Sequence, residues 1–202
     1  MQFNLLGEIE HTTVNGPGER YMIHLQGCPF KCPGCFNPES WAFKNNKIVD
    51  IYQLADKILS YDRDGLSISG GEPMMQAPTL LKFLEYLHSK TSAPFRKGIL
   101  MYTGFYEQEL KEVPEYKEIL KYVSVFISGR YIQDQRVYDS LLSSSNQSFI
   151  FGTKPLIKLS ELQGQKFEII FNEDQIKMTG FPPLDKSMLK NLKEVGVQMQ
   201  VI

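Results

Sequence analysis

Three cysteines lie together in one short loop, and the chain has no other cysteine. Cys28, Cys32 and Cys35 follow the spacing C-x3-C-x2-C. Pro33 and Gly34 lie among them and oppose both helix and strand, so the three thiolates can turn toward one point. Thiolates select soft metals, and the loop therefore predicts either a zinc site or an iron-sulfur cluster.

The missing fourth ligand favours the cluster. A structural zinc ion is normally closed by four protein ligands, and only His24 is close enough in sequence to serve as the fourth. His24 lies in the apolar segment Tyr21–Leu25, which reads as a strand, and a histidine there is more typical of a half-buried strand residue. A cubane cluster held by three cysteines would instead leave one iron open for a small molecule. Zinc remains the alternative from spacing alone.

Four segments lie in and around the cysteine motif: Gly16–Arg20, Leu25–Cys28, Cys32–Cys35 and Asn37–Trp41. They resemble the radical SAM superfamily, and most closely the activating enzymes of anaerobic ribonucleotide reductase. These are relatives of other glycyl-radical-enzyme activases. The resemblance implies a 4Fe-4S cluster on the three cysteines and S-adenosylmethionine on its open iron. It also implies reductive cleavage of that cofactor to methionine and a 5'-deoxyadenosyl radical.

The resemblance also assigns cofactor-binding positions outside the cysteine loop. Two glycines let backbone approach a ligand, and a glutamate after them can accept hydrogen bonds from a cationic group. In the family, the segment that corresponds to Gly70–Pro73 holds the amino group of the methionine moiety. The strand end that corresponds to Tyr102–Gly104 lies near the ribose of the cofactor. Without the family, a Gly-Gly pair before a helix is a common turn. The assigned positions are Gly70, Gly71, Glu72, Pro73, Thr103, Ser128 and Asn146.

Three positions differ from the usual activase pattern. Asn15 and Ser128 stand where activases have Asp, and Phe36 stands where His often follows the last cysteine. The Asp at the position of Ser128 is linked with a cation near the cofactor in related activases. Whether such a cation site persists here stays open.

Strand-like and helix-like segments alternate after the cysteines, which predicts an α/β fold with a parallel sheet and helices on its outer face. Asp50 can cap the first helix, and residues 2–14 read as an N-terminal strand or hairpin. The resemblance implies a partial (βα)6 barrel of the radical SAM type. The predicted strands are Tyr21–Leu25, Leu66–Ser69, Gly98–Thr103 and Val123–Ile127, and the later helices are Thr79–Lys90 and Tyr116–Tyr122.

Four polar segments each follow the carboxyl end of a predicted strand. They are the cysteine motif, Gly70–Pro73, Thr103 with Gly104, and Ser128–Arg130. Parallel α/β folds collect their active sites at this edge. The placement of four polar segments at one edge indicates an enzyme rather than a binding module. This inference does not depend on the family resemblance.

We expect a core domain over residues 1–152 and a C-terminal appendage over residues 153–202. The appendage reads as a hairpin over Lys166–Thr179, a helix over Leu184–Val195 and a last strand over Val197–Ile202. The appendage is expected to cover an edge of the sheet, and docking of a substrate is the alternative.

Composition gives no support for nucleic acid or a membrane as a partner. The 22 basic and 23 acidic residues nearly balance, so no positive field indicates nucleic acid or an anionic membrane. No apolar run approaches the roughly 18 residues of a membrane span, and the first residues lack the pattern of a signal peptide. A cytoplasmic location follows as an expectation, because unpaired clustered cysteines fit a reducing compartment.

A single-cluster enzyme that abstracts hydrogen is therefore predicted, because no cysteine is left for an auxiliary cluster or a catalytic thiol. Short strand-end loops offer little material for a closed pocket, which favours a protein or peptide substrate. The resemblance implies a glycyl radical enzyme as that substrate and reduced flavodoxin or ferredoxin as the electron donor. The alternatives are a small maturase of ribosomal peptides, a deazaguanine-type ring-forming enzyme, or a non-catalytic metal-binding regulatory module.

Overall fold

The structure is a computed structural model, and the chain is described over most of its length. The described residues are 1–91, 93–164, 167–171, 176–181, 190, 191, 194 and 196–199. The helix predicted over Leu184–Val195 and the end of the last predicted strand lie largely outside these residues.

Ten strands and four α-helices are present within the described residues. The strands are β1 (Gln2–Thr12), β2 (Arg20–Leu25), β3 (Lys47–Asp50), β4 (Gly65–Gly70), β5 (Ile99–Thr103), β6 (Val125–Ser128), β7 (Ser148–Phe151), β8 (Phe167–Phe171), β9 (Ile176–Gly180) and β10 (Val197–Met199). The helices are α1 (Ile51–Ser60), α2 (Ala77–Lys90), α3 (Glu107–Leu110) and α4 (Tyr116–Ile119).

Seven strands form one mixed sheet in the order β3-β1-β2-β4-β5-β6-β7. The central strands β2, β4, β5 and β6 run parallel, as predicted. The outer strands β1, β3 and β7 pair antiparallel with their neighbours. The fold is therefore α/β with a mixed sheet: the predicted parallel arrangement holds for the central strands, and the outer strands on both sides are antiparallel.

Helices cover one face of the sheet and form the main core with it. Apolar side chains of β2 and β4 pack against the apolar stripes of α1 and α2, and α3 and α4 join the same cluster. The helix α1 begins where predicted, because the Asp50 carboxylate accepts hydrogen bonds from the backbone N–H groups of Tyr52 and Gln53. Such a cap pairs two donors that the first turn leaves open.

The second face of the sheet carries a smaller core. Leu100 and Val125 on this face pack with Ile157, Leu162 and Phe181 from the C-terminal part of the chain. The C-terminal segment therefore packs on a face of the sheet. The expectation that the appendage covers an edge of the sheet stays a prediction.

A second sheet has three strands in the order β10-β9-β8, and polar contacts join it to the residues that follow β1. The Asn15 side-chain amide donates to Thr12 and Thr179 hydroxyls at 2.9 and 2.8 Å, and the Thr13 backbone N–H donates to Glu168 at 3.0 Å. An aspartate at position 15 would have no N–H to donate. Asn15, which replaces the usual activase aspartate, therefore makes hydrogen bonds that an aspartate could not donate. The strands β8 and β9 form the predicted hairpin. The division of the chain at residue 152 stays a prediction.

A fully buried arginine holds the amino ends of the parallel strands together. The Arg20 guanidinium has no exposed surface, and burial lowers its pKa to about 9. It donates hydrogen bonds of 2.7 to 3.3 Å to five acceptors. These acceptors are the Ser67 hydroxyl and the carbonyls of Pro17, Leu66, Lys97 and Gly98. The network ties the starts of β2, β4 and β5 into one unit.

None of the described helices has the length and apolar character that crossing a bilayer requires.

We predict that Arg20→Met lowers the free energy of unfolding by about 3 kcal/mol, because buried acceptors lose their donors. Urea denaturation followed by far-UV circular dichroism measures the loss. Arg96→Met is the matched control, because this arginine pairs with Asp64 at the surface and its side chain is 73% exposed. The control should stay within about 0.5 kcal/mol of the wild type. Equal losses in the two variants would contradict the role given to Arg20.

Candidate functional site

The carboxyl ends of β2, β4, β5 and β6 meet at one edge of the sheet, and a cavity opens there. The segment of residues 26–36, named here the cysteine loop, follows β2 and forms one wall. The ends of β4 and β5 and the residues just after them also line the cavity. The lining residues are Cys28, Phe30, Cys32, Cys35, Phe36, Ser40, Trp41, Ser69, Gly70, Gly71, Glu72, Tyr102, Thr103, Gly104, Gly129, Tyr131, Ser143 and Gln147.

All three cysteines face this cavity as free thiols. Cys28 is buried, whereas Cys32 and Cys35 are half-buried. Burial raises the pKa of the Cys28 thiol to about 11 and also raises that of Cys35. Among the described residues, no three His, Cys, Asp or Glu side chains converge closely enough to hold a single metal ion.

Backbone hydrogen bonds fix the start of the cysteine loop against the end of β4. The N–H groups of Gly71 and Glu72 donate to the carbonyls of Leu25 and Gly27 at 2.7 and 2.8 Å. A Cβ at Gly71 would lie 2.4 Å from the Gly27 carbonyl oxygen. Glycine is therefore required here by close approach of two backbones rather than by torsion angles.

The segment after the last cysteine supports the loop from the other side. The N–H groups of Gly27 and Cys28 donate to the carbonyls of Ser40 and Trp41 at 2.8 and 3.2 Å. The buried Gln26 side chain donates to the Ala42 carbonyl at 2.7 Å. The segment Asn37–Trp41, which resembles the activases, therefore supports the cysteine loop through the carbonyls of Ser40 and Trp41.

Glu72 is a fully buried carboxylate at the junction of β4 and β5. One oxygen accepts hydrogen bonds from the Met74 N–H at 2.9 Å and the Thr103 hydroxyl at 2.8 Å. The other oxygen accepts from the Gly104 N–H at 2.6 Å. Burial raises the pKa of Glu72 to about 7, although these three donors act in the opposite direction. The carboxylate thus organises the site whether or not it also contacts a ligand.

The predicted site residues separate into two groups. The cysteines, Gly70, Gly71, Glu72 and Thr103 line one cavity. Three others do not line it: Pro73 opens a short 3-10 helix, the Ser128 hydroxyl donates to the Phe105 carbonyl, and Asn146 donates to the Arg130 carbonyl.

His24, weighed as a fourth ligand, lies within β2 and does not line the cavity. It is fully buried, and within the described residues neither ring nitrogen has a hydrogen-bond partner. Burial lowers its pKa to about 4. The histidine is thus neutral and belongs to the sheet interior.

Sequence reasoning missed the aromatic walls of the cavity. Phe30 lies between two of the cysteines, and Phe36 follows the third. Phe36 is buried beneath the Tyr131 ring, whose centroid is 6.1 Å away, and the Arg136 guanidinium lies 4.9 Å from its ring centre. The positions of Phe30 and Phe36 next to the cysteines could have indicated that they line the site. The residues that they contact, however, lie far away in the sequence.

Comparisons with known proteins give the family. Residues 14–150 match the family described as a 4Fe-4S single cluster domain. The chain is 34% identical over 131 residues to the anaerobic ribonucleoside-triphosphate reductase-activating protein of Haemophilus influenzae, covering 60% of this chain and 80% of that protein. The protein of the same name from enterobacteria phage T4 is 32% identical over 138 residues, covering 66% and 85%. The chain belongs to this family of activating proteins. The predicted family is confirmed.

A solved structure shows a weaker likeness. The match to the crystal structure of QueE from Escherichia coli covers 52% of this chain and 53% of the QueE chain. The sequence identity is 20% and the TM-score is 0.42. A likeness at this level does not establish a shared fold.

The donor set fits the cluster that the family carries. Three free thiols face one cavity, and thiolate is the ligand that iron-sulfur clusters require. A four-iron cluster is wider than a single ion, so its ligands need not converge on one point. The family assignment and the thiols therefore agree on a 4Fe-4S cluster as the cofactor.

We predict that Gly71→Ala costs about 2 kcal/mol of unfolding free energy through overpacking. It should also reduce the iron bound after anaerobic reconstitution, because the displaced Gly27 carries the cysteine loop. Iron and sulfide analysis per chain measures the effect. Gly164→Ala is the control, because its φ of +79° strains an alanine while no atom lies within 4 Å of the added Cβ. Normal iron content in Gly71→Ala would refute this account.

We predict that Glu72→Ala lowers the unfolding free energy by about 3 kcal/mol, because three donors lose their acceptor. Thr103→Val removes only one of those donors and should cost about 1 kcal/mol. Urea denaturation of the two apo-proteins compares them. If Glu72→Ala costs no more than Thr103→Val, the carboxylate does not organise the site as described.

Proposed function

We propose that the protein is a radical SAM activase that generates a glycyl radical on a protein partner. The observation that carries the proposal is the placement of all three cysteines on one cavity at the carboxyl edge of parallel strands. Relatives named anaerobic ribonucleoside-triphosphate reductase-activating proteins support it. We propose further that the parallel strands form part of the (βα)6 barrel of this superfamily.

Cys28, Cys32 and Cys35 would hold a 4Fe-4S cluster, and the chain has no fourth cysteine to close it. When bound and reduced, the cluster supplies one electron that cleaves S-adenosylmethionine to methionine and the 5'-deoxyadenosyl radical. Gly70 and Gly71 would bind the cofactor, because they line the cavity without side chains. Glu72 would act there mainly by holding the Gly104 backbone in place.

The substrate is proposed to be a glycine-bearing loop of an anaerobic ribonucleotide reductase. Hydrogen transfer from that glycine to the deoxyadenosyl radical gives 5'-deoxyadenosine and a glycyl radical, so atoms and electrons balance. The names of the relatives favour this partner over a small molecule. Reduced flavodoxin or ferredoxin is the proposed electron donor, and the cytoplasm the proposed location. We keep residues 1–152 as the proposed core domain and residues 153–202 as its appendage.

We predict that anaerobically reconstituted protein binds four irons per chain and, once reduced, converts S-adenosylmethionine to 5'-deoxyadenosine and methionine. Adding an anaerobic ribonucleotide reductase should give an organic doublet in the electron paramagnetic resonance spectrum. Cys32→Ala should lose the cluster and both activities, whereas Arg96→Gln, outside the site, should keep them. Stoichiometric zinc without iron would overturn the proposal. Cofactor cleavage with no radical on any glycyl radical enzyme would transfer the assignment to another substrate.

A further inference from the structure

Phe30 anchors the part of the cysteine loop that joins Cys28 to Cys32. Its ring packs edge-on against Phe105, with centroids 5.0 Å apart and an angle of 78° between the rings. It also lies against Gly104 so closely that a Cβ there would be 2.4 Å from the ring. The loop therefore inserts one aromatic side chain into a slot at the carboxyl end of β5.

Arg130 closes this slot. Its guanidinium lies 4.3 Å from the centre of the Phe30 ring and 5.0 Å from that of Tyr106. Two hydrogen bonds of 2.7 Å join it to the two carboxylate oxygens of Glu109. A forked pair of this kind fixes the plane of the guanidinium as well as its position, and stacking on aromatic rings requires that plane.

Two amide side chains hold the backbone of Arg130. The Asn146 amide donates to the Arg130 carbonyl at 2.8 Å, and the Gln147 amide donates to the Gly129 carbonyl at 2.8 Å. Gly129 and Arg130 directly follow β6, so their backbone is also held by the sheet. Asn146 and Gln147 thus support the position of Arg130.

The charge of Arg130 reaches the cysteine loop. The guanidinium lies 4.3 Å from the ring centre of Phe30, and Phe30 is two residues away from both Cys28 and Cys32. The positive charge of Arg130 therefore lies next to the loop that carries the cysteines. A positive charge near an iron-sulfur cluster stabilises the reduced form, and net charge is one determinant of cluster potential.

We propose that Arg130 is a positioning residue of the cysteine loop. Glu109 orients its guanidinium, the guanidinium packs on the Phe30 ring and holds it against Phe105 and Gly104, and the same group supplies positive charge beside the cysteine loop. The proposal rests on the proposed function, because it requires a cluster on the three cysteines. It assigns Arg130 a role separate from binding the substrate.

The test uses reconstituted holoprotein and two measurements that do not depend on activity. The first is the reduction potential of the cluster by anaerobic titration, and the second is the rate of iron loss to a chelator. Arg130→Gln should shift the potential to more negative values and accelerate iron loss. Arg130→Lys should keep the potential near that of the wild type but still accelerate iron loss, because a lysine lacks the planar fork.

Glu109→Gln should not lower the reduction potential, in contrast to Arg130→Gln. Removing the carboxylate leaves the guanidinium unneutralised, so the potential should not fall while the loop loses its fixed clamp. Phe30→Ala should accelerate iron loss with little change in potential, because it removes the anchor and no charge. Arg96→Gln is the matched control, because it breaks an arginine-carboxylate pair of 2.9 Å outside the site.

The outcomes separate this proposal from the proposed function. A wild-type protein that takes up no cluster would overturn both. A wild-type protein that loads normally, with Arg130→Gln equal to it in potential and iron loss, would overturn only the role of Arg130. If Arg130→Gln does not fold, Arg130→Lys and Glu109→Gln decide by iron loss: rates equal to that of Arg96→Gln would again overturn it.

Discussion

The site depends on one buried carboxylate. Glu72 has no exposed surface, and its two oxygens accept three hydrogen bonds. Two of these, from Thr103 and Gly104, join the end of β4 to the end of β5. Its own N–H donates to Gly27, which carries the cysteine loop. A carboxylate without a paired cation is costly to bury unless donors surround it. The glycines around it are needed because these backbones approach so closely, and the position of the cysteines follows from that packing.

Much of this arrangement could be predicted from sequence because it is encoded locally. The cysteine spacing names the ligands, and helical periodicity places α2 within two residues of its observed start. The carboxyl ends of parallel strands share an edge, so polar segments after successive strands had to meet. That topological rule brought Gly71 and Thr103 to the cysteines without any knowledge of the family.

The rest could not be predicted because it depends on distant partners. The short edge strands β3 and β7 are partly exposed and carry little pattern, and their pairing is decided by β1 and β6. Phe30 reads as a loop residue until Phe105 and Arg130 come together around it. Glu72 suggested a ligand contact, whereas the hydrogen bonds that it accepts from Thr103 and Gly104 require the folded sheet. The C-terminal segment similarly finds its place on a face of the sheet through Ile157 and Phe181.

The central claim is a four-iron cluster on three cysteines with one iron open to the cofactor. Mössbauer spectroscopy of protein reconstituted with ⁵⁷Fe tests it most directly, because it resolves the individual irons. The account predicts one cluster whose spectrum gains a distinct single-iron site when S-adenosylmethionine is added, while the other irons stay unchanged. Four irons that remain equivalent with and without the cofactor would contradict it, as would a spectrum without any four-iron cluster.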